Sequence, residues 1–199
     1  MLETGKTYHL YNRGNNRENL FYKPDNYFYF LRQFDKYLSN YIDVFAYCLL
    51  PNHFHFLIRV KEEDEIDSID LPSLQDLVSL DRQISTQFRL FFMSYAKAIN
   101  KQENRVGSLF QKNFKIKEVN SDSYFSQLVF YIHANPQLHH LIDDFKKWQY
   151  SSYHSLLSEK NTKLKKYDVV DWFGGFEGYT KFHQIQLDFR NLQALDLED

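Results

Sequence analysis

The 199-residue sequence lacks several features that mark common classes of protein. It contains a single cysteine, Cys48, so an intramolecular disulfide framework cannot form. No apolar run approaches the length that crosses a bilayer, and the first residues lack the basic and then apolar start of a secretory signal. Internal repeats and low-complexity segments are also missing. We therefore expect a globular protein of the cytoplasm that does not contact a membrane.

The sequence also lacks the general positive charge of a cationic nucleic-acid coat, since its net charge is −2. The charge is unevenly distributed, however. Residues 82–160 carry eleven Lys or Arg against six Asp or Glu, whereas residues 61–81 carry one basic and eight acidic residues. Aromatic residues make up 18% of the chain, and exposed rings would suit base stacking, although we expect most of them in the core.

Hydrophobic periodicity and turn residues predict seven elements. They are a strand at 8–12, a helix at 24–38, strands at 43–50 and 53–60, a helix at 82–102, a strand at 114–119 and a helix at 123–134 that Pro136 should stop. This order is typical of the ferredoxin-like split βαβ arrangement. The predicted fold class is therefore α+β, with an antiparallel sheet, helices on one face and an extra C-terminal helical segment.

The elements also suggest how the chain is divided. Residues 1–155 form the predicted catalytic domain, interrupted at 61–81 by an acidic insert with a short helix near 74–80. Residues 156–199 are interpreted as an appendage that packs on this domain. The aromatic residues of 140–199 provide enough apolar surface for packing on the domain, but no periodicity shows how they pack.

Two histidines, His53 and His55, carry the strongest chemical signal. Residues i and i+2 of a strand point to the same face, so the two imidazoles should converge on one point. Neutral imidazoles bind Mn²⁺, Zn²⁺, Co²⁺ or, less readily, Mg²⁺. An arbitrary His-x-His pair is more often made of ordinary hydrogen-bonded residues, but apolar neighbours here fix the orientation of both rings.

The run at 51–58, PNHFHFLI, resembles the HUH motif (His, hydrophobic, His) of single-tyrosine transposases, in particular the REP-associated tyrosine transposases. Further parts of the same family pattern follow in the expected order. They lie at 8–17, 109–111, 131–136 and 148–152, so the resemblance spans roughly residues 6–155.

The resemblance implies a metal-dependent endonuclease and strand transferase that cleaves single-stranded or hairpin DNA through a 5′-phosphotyrosine intermediate. It makes Tyr131 the nucleophile and adds Asn135 to His53 and His55 as ligands of Mg²⁺ or Mn²⁺. Helical spacing supports this independently, because Tyr131 and Asn135 stand at i and i+4 on one helix face. The family's REP-associated branch also favours a monomer over a homodimer.

Each of these assignments has an alternative. Tyr131 could belong to the helix core, in which case Tyr124, seven residues earlier on the same face, is the reserve nucleophile. Asn135 could simply cap the helix before Pro136. His9 could lie beside the histidine pair, where a hydrogen-bonded structural role is favoured.

Six basic residues are predicted to form a phosphate-binding rim, although a solvated strand face would account for some of them: Arg13, Arg17, Arg105, Lys112, Lys115 and Lys117. The acidic insert should lie away from that surface. Two other functions remain open. One is a catalytically silent nucleic-acid-binding module on the same scaffold, and the other is a metal protein without affinity for DNA.

Overall fold

The structure is a computed structural model that describes residues 2–67 and 79–186. These ranges contain four strands and six α-helices. The strands are β1 (Thr7–Arg13), β2 (Ile42–Leu50), β3 (His53–Val60) and β4 (Lys115–Glu118). The helices are α1 (Pro24–Leu38), α2 (Leu80–Gln102), α3 (Asp122–Leu138), α4 (Tyr153–Leu157), α5 (Lys166–Trp172) and α6 (Gly175–Ile185).

The strands form one sheet in the order β2-β3-β1-β4, and every neighbouring pair is antiparallel. Helix α1 connects β1 to β2 with β3 lying between them, and α2 connects β3 to β4 with β1 lying between them. This is the split βαβ arrangement. The predicted α+β class, the antiparallel sheet and the additional C-terminal helices are confirmed.

Helices α1 and α2 cover one face of the sheet with an aromatic layer. Phe34 of α1 stacks on Phe56 of β3 with ring centroids 4.6 Å apart, and Phe30 meets Phe54 at 5.1 Å. Phe91 of α2 packs edge-on against Phe30 at 4.9 Å. Because Phe54 and Phe56 alternate with His53 and His55, this layer lies on the face opposite the histidines.

The structure corrects one detail of the predicted arrangement, because helices cover both faces of the sheet rather than one. Helix α3 packs on the histidine face and shares a buried cluster with Cys48 and Leu50 of β2 and Leu57 of β3. Strands β2 and β3 carry apolar residues on both faces, and a strand of this kind is buried only when both faces are covered.

A second correction concerns the end of α3, which extends to Leu138 past Pro136. A proline inside a helix removes one N–H donor, but only two residues of α3 follow Pro136, so a single backbone hydrogen bond is lost near the end of the helix. The helix then closes with the His139 N–H donating to the Asn135 carbonyl at 3.0 Å. Asn135 therefore lies within the helix and is not its cap.

The described part of the acidic insert, residues 61–67, contains a short 3₁₀ helix at Glu63–Glu65. Arg59 donates to both Glu65 and Asp43 and so attaches this turn to the sheet. The turn follows Val60, at the opposite end of β3 from His53. The predicted helix near 74–80 lies mostly outside the described residues, and Leu80 is the first residue of α2.

A buried hydrogen-bond chain joins α6 to α3 and to the turn before α4. The His183 Nδ1–H donates to the Tyr179 carbonyl at 2.8 Å, so the neutral ring accepts at Nε2 from the His133 Nδ1–H at 2.9 Å. His133 Nε2 then accepts from the Ser152 hydroxyl at 2.8 Å. Each imidazole nitrogen in this network has a hydrogen-bond partner while both rings are neutral.

We expect this chain to make stability depend on pH. Burial lowers the pKa of His183 to about 4, against about 6.5 in an unfolded chain. The unfolded state therefore binds more protons between these values, so stability is complete above about pH 6.5 and falls as the pH approaches 4. His183 alone should cost about 2 kcal/mol at pH 5 relative to pH 7.

Chemical denaturation of the protein and of His183→Gln at both pH values measures this effect. The variant should lose part of the pH dependence, because Gln does not titrate. An equal pH dependence in the two proteins would contradict the assignment.

None of the helices in the described ranges combines the length and hydrophobicity needed to span a bilayer. The cytoplasmic location and the boundary at residue 155 stay predictions.

Candidate functional site

Strand β3 places His53 and His55 side by side on the face that α3 covers. Their ring centroids lie 5.3 Å apart, and both side chains are buried. In the strand register, His53 lies between Leu50 of β2 and Arg13 of β1. His55 lies between Cys48 of β2 and Tyr11 of β1. The two imidazoles therefore lie side by side on one face of the strand, as predicted.

His53 lies between two amide oxygens. Its Nδ1 is 2.7 Å from Asn52 Oδ1, which can only accept, so Nδ1 carries a proton. Its Nε2 is 3.1 Å from Asn135 Oδ1. In the neutral ring, Nε2 directs a lone pair at this side chain, and a metal ion shared with Oδ1 would satisfy both acceptors. The buried Asn135 Nδ2–H makes no hydrogen bond to the described residues, and with the amide rotated it would donate to Nε2 instead.

The turn between β1 and a 3₁₀ helix at Asn15–Arg17 holds Asn52 in place. The Gly14 N–H donates to the Asn52 carbonyl at 2.7 Å. A Cβ at Gly14 would lie only 2.0 Å from the Glu18 carbonyl oxygen, so the close approach of these segments needs glycine. Residues 13–16, Arg-Gly-Asn-Asn, thus contain a turn that supports the site.

His55 is held by His9 of the neighbouring strand, whose Nε2 lies 2.9 Å from His55 Nδ1. Burial, followed by the nearby His9, His53, His139 and Arg13, holds the pKa of His55 well below its usual range. The ring is therefore neutral at pH 7. When its Nδ1–H donates to His9, the lone pair of Nε2 is directed away from His9 and is suited to a metal ion.

Helix α3 brings Tyr131 against this pair. The helix begins where the Ser121 hydroxyl accepts from the Tyr124 N–H, and its sheet-facing stripe includes Tyr131 and Asn135. The Tyr131 ring stands edge-on to His55, with centroids 5.6 Å apart and planes at 83°. Tyr131 is only 7% exposed, yet it borders imidazoles on this side rather than lying wholly among apolar groups.

The reserve tyrosine, Tyr124, lies two turns earlier in α3. Its ring sits beneath the Lys117 ammonium group, 5.3 Å from the ring centroid. Burial, followed by the proximity of Tyr11, raises the pKa of Tyr124 to about 12. A pKa raised in this way disfavours the phenolate and makes Tyr124 a poorer nucleophile.

A cleft of about 160 Å³ opens beside the two histidines. Its walls are formed by residues of β1, β3 and the segment before β4: Tyr11, Asn12, Arg13, His53, His55, Gln111 and Lys115. No carboxylate is among these residues, so the cleft is basic in a protein whose net charge is negative. Such a cleft favours an anionic ligand.

The six predicted phosphate-binding residues do not all lie at the cleft. Arg13 and Lys115 line the cleft, and Lys117 continues along the same face of β4. Arg105 instead donates to Glu18 and to Asn100, which hold its guanidinium away from the cleft. Arg17 and Lys112 are exposed on the segments that flank it.

Sequence reasoning did not single out Tyr11, Asn52, Gln111 or His139 for the site. Tyr11 pairs with His55 in the sheet register, and the His139 ring lies 4.8 Å from His53. The alternation of residues 9, 11 and 13 in β1 is the signal that would have placed Tyr11 on the histidine face.

The donors at this site fit a divalent metal ion. Adjacent ligands of one octahedral ion lie about 3 Å apart, which matches the 3.1 Å between His53 Nε2 and Asn135 Oδ1. Within residues 2–67 and 79–186, no group of three or more His, Cys, Asp or Glu could hold a metal. A metal site here would therefore need an amide oxygen as its third protein ligand, and Asn135 lies where it would supply one.

The contact between His9 and His55 leads to a prediction on metal affinity. Replacing His9 by leucine removes the acceptor that fixes the His55 tautomer, so we expect binding of Mn²⁺ to weaken about 10- to 100-fold. Gln at position 9 provides an amide oxygen as acceptor and should retain most of the affinity. Isothermal titration with Mn²⁺ measures this, and equal affinity in His9→Leu and the parent protein would contradict it.

Comparisons with known proteins find a related sequence and a related fold. The chain is 29% identical over 129 residues to a protein of Haemophilus influenzae named "Putative REP-associated tyrosine transposase", a match that covers 65% of each chain. It thus spans slightly less than two thirds of that relative's length. No family model matches the sequence.

A solved structure described as a REP-associated tyrosine transposase bound to a REP hairpin has the same fold. The TM-score is 0.57 at 19% identity, covering 80% of this chain and 83% of that one. At this identity the likeness is one of fold. Together the two comparisons confirm the resemblance to REP-associated tyrosine transposases.

Proposed function

We propose that this relative of the REP-associated tyrosine transposases is a metal-dependent endonuclease and strand transferase for single-stranded DNA, acting at hairpin-associated sites. One observation carries the proposal. A single helix, α3, sets Tyr131 against His55 and, four residues later, Asn135 against His53. A nucleophile and three metal ligands thus come from two elements whose packing fixes their relative positions.

In the proposed reaction, the Tyr131 phenolic oxygen forms a bond to the scissile phosphorus. The bond between phosphorus and the 3′-oxygen of the preceding nucleotide breaks, leaving a 5′-phosphotyrosine and a free 3′-hydroxyl. The phenol gives up its proton and the departing 3′-oxygen takes one up. Because a phenolate is a better leaving group than an alkoxide, a 3′-hydroxyl can reverse the step and join a new strand.

His53, His55 and Asn135 would hold the divalent ion, Mg²⁺ or Mn²⁺, in this reaction. When bound, the ion polarises the scissile phosphate and stabilises the charge that develops on it. His9 fixes the tautomer of His55, and Asn52 orients His53 through its Nδ1–H. Arg13 and Lys115 line the adjacent cleft, where they can bind flanking phosphates.

Hairpin DNA is the proposed substrate because the structurally similar transposase is described as bound to a REP hairpin. The net charge of −2 disfavours tight sequence-independent binding and so supports recognition of a particular DNA end. A monomer is the proposed unit, since α3 and the histidine pair of the same chain already supply all the proposed catalytic groups.

The proposal is tested by incubating the protein with Mn²⁺ and a DNA hairpin that carries labelled single-stranded flanks. Denaturing electrophoresis should show protein that carries the label covalently, and a chelator should prevent it. Binding without any adduct, across hairpins with varied flanks, would instead support the catalytically silent DNA-binding module.

A further inference from the structure

Four residues form a surface beside the cleft; its two lysines belong to the predicted phosphate-binding rim, and its two tyrosines take no part in the proposed catalytic step. The four residues are Tyr11 of β1, Lys115 and Lys117 of β4, and Tyr124 of α3, and we call them the tyrosine-lysine strip. In the sheet register Tyr11 lies opposite Lys115, and His9 lies opposite Lys117. All of these side chains therefore share the face that carries His53 and His55.

The strip combines aromatic rings with cations in a repeated pattern. The Lys115 ammonium group lies 5.7 Å from the centroid of the Tyr11 ring, and the Lys117 ammonium group lies 5.3 Å from that of Tyr124. Both lysines are exposed and both tyrosines are half-buried. Both lysines of the edge strand β4 thus lie next to a tyrosine ring.

The strip is continuous with the candidate metal site. The Tyr11 ring stacks on His9 at 4.6 Å and lies 5.7 Å from the His55 ring, with planes inclined by 24° and 23°. Tyr11 and Lys115 also line the cleft of about 160 Å³ next to the histidines. The second pair, Lys117 and Tyr124, extends the surface two residues farther from the cleft along β4.

One polar atom of the strip has no partner within the described protein. The Tyr124 hydroxyl is buried and makes no hydrogen bond there. Leaving a hydroxyl in this state is unfavourable, so a ligand that offers an acceptor oxygen would be stabilised at this position. Phosphate and base carbonyl oxygens are acceptors of this kind.

We propose that the tyrosine-lysine strip binds the unpaired nucleotides next to the scissile phosphate, with bases on the tyrosine rings and phosphates on the lysines. Lys115 and Lys117 are two residues apart on a strand, which separates them by about 7 Å. This is close to the spacing of successive phosphates in an extended single strand. Aromatic platforms beside cations are the general means by which proteins hold unpaired bases.

The inference rests on the proposed function for the identity of its ligand, single-stranded DNA, but it does not require cleavage. Its test therefore uses Tyr131→Phe protein in the presence of a chelator, so that only binding is measured. Fluorescence anisotropy compares a hairpin with an unpaired flank against the same hairpin without one. The difference in affinity isolates the contribution of the flank.

Tyr11→Leu and Tyr124→Leu should each weaken binding of the flanked hairpin about 5- to 150-fold, while binding of the bare hairpin changes little. Tyr11→Phe keeps the ring and should retain most of the affinity. Lys115→Gln and Lys117→Gln should each lower the salt dependence of binding by about one counterion.

The chain offers a matched control in another tyrosine beneath a lysine, remote from the site. Lys166 lies 4.9 Å from the ring centroid of Tyr167, which is 66% exposed. Tyr167→Leu should bind the flanked hairpin as the parent does. A loss in Tyr167→Leu equal to that in Tyr11→Leu would overturn the proposal, since it would show a non-specific effect.

A DNA change gives a second measurement that does not depend on the folding of variants. Abasic residues in the flank should weaken binding to the parent protein, and they should weaken it much less in Tyr11→Leu, because the stacking partner is already missing. Full affinity for the abasic flank would overturn the proposal even if Tyr131 forms an adduct. Conversely, the expected pattern without any adduct would support the strip and count against the nuclease.

Discussion

Replacing Tyr131 by phenylalanine should abolish the covalent complex with DNA while leaving DNA binding intact. Phenylalanine keeps the ring that packs edge-on against His55 but lacks the oxygen that would bond to phosphorus. Because phenylalanine leaves no oxygen at that position, we expect the adduct to fall by at least about a thousandfold. Denaturing electrophoresis after incubation with labelled hairpin and Mn²⁺ measures the change.

Tyr124→Phe is the control for this experiment, because it removes a hydroxyl from the same face of the same helix. We expect it to form the adduct when DNA is saturating. The reverse result, in which Tyr131→Phe reacts and Tyr124→Phe does not, would transfer the nucleophile to the reserve tyrosine. An adduct in both variants would show that neither hydroxyl is required.

The low exposure of Tyr131 carries a mechanistic consequence. Only 7% of the residue is open to solvent, and it does not belong to the residues that line the cleft beside the histidines. In the proposed mechanism, DNA binding must bring the phosphate and this hydroxyl together through a local adjustment of α3. We therefore expect hydrogen exchange of the amides near Tyr131 to change when the hairpin binds.

The second large effect is expected at the metal ligands. His53→Ala and Asn135→Leu each remove one of two proposed ligand atoms, the histidine Nε2 and the amide Oδ1, which lie 3.1 Å apart. A metal ion contributes several kcal/mol to stabilising the transition state of phosphoryl transfer, so loss of a ligand should lower cleavage about 100- to 1,000-fold. Single-turnover cleavage and isothermal titration with Mn²⁺ measure the two consequences separately.

Asn135→Asp distinguishes a ligand from a merely structural residue. It keeps an oxygen at the same position, and carboxylate oxygens are good ligands for Mg²⁺ and Mn²⁺. We expect this variant to bind Mn²⁺ and to cleave DNA, unlike Asn135→Leu. If Asn135→Leu retains full affinity for Mn²⁺ with a native thermal transition, Asn135 is not a ligand.

Helix and strand positions followed closely from the sequence where one apolar stripe dominates. The bounds of α1 and β3 match their predictions, because Pro24 opens the helix and the turn at 51–52 opens the strand. Prediction was less successful for α3, whose residues 128–136 are all buried. A helix buried on every side has no polar face to mark its orientation, so the sheet face that it covers could not be inferred.

The sequence by itself determined the features that depend on local chain geometry. The alternation of a strand puts His53 and His55 on one face, and the turn of a helix puts Tyr131 and Asn135 on one stripe. These relationships hold for any packing of the elements. They were sufficient to predict that the two histidines form a pair suited to a metal ion, and the resemblance to a family added Tyr131 as the expected nucleophile.

Only the tertiary structure decided which groups from distant segments meet. His9 and His55 are 46 positions apart in the chain, and His53 and Asn135 are 82 apart. Tyr11 and Lys115 face each other because β1 and β4 pair in one register, and a shift of one residue would put them on opposite faces. Such contacts depend on strand register and on helix packing across both faces of the sheet, which no local periodicity encodes.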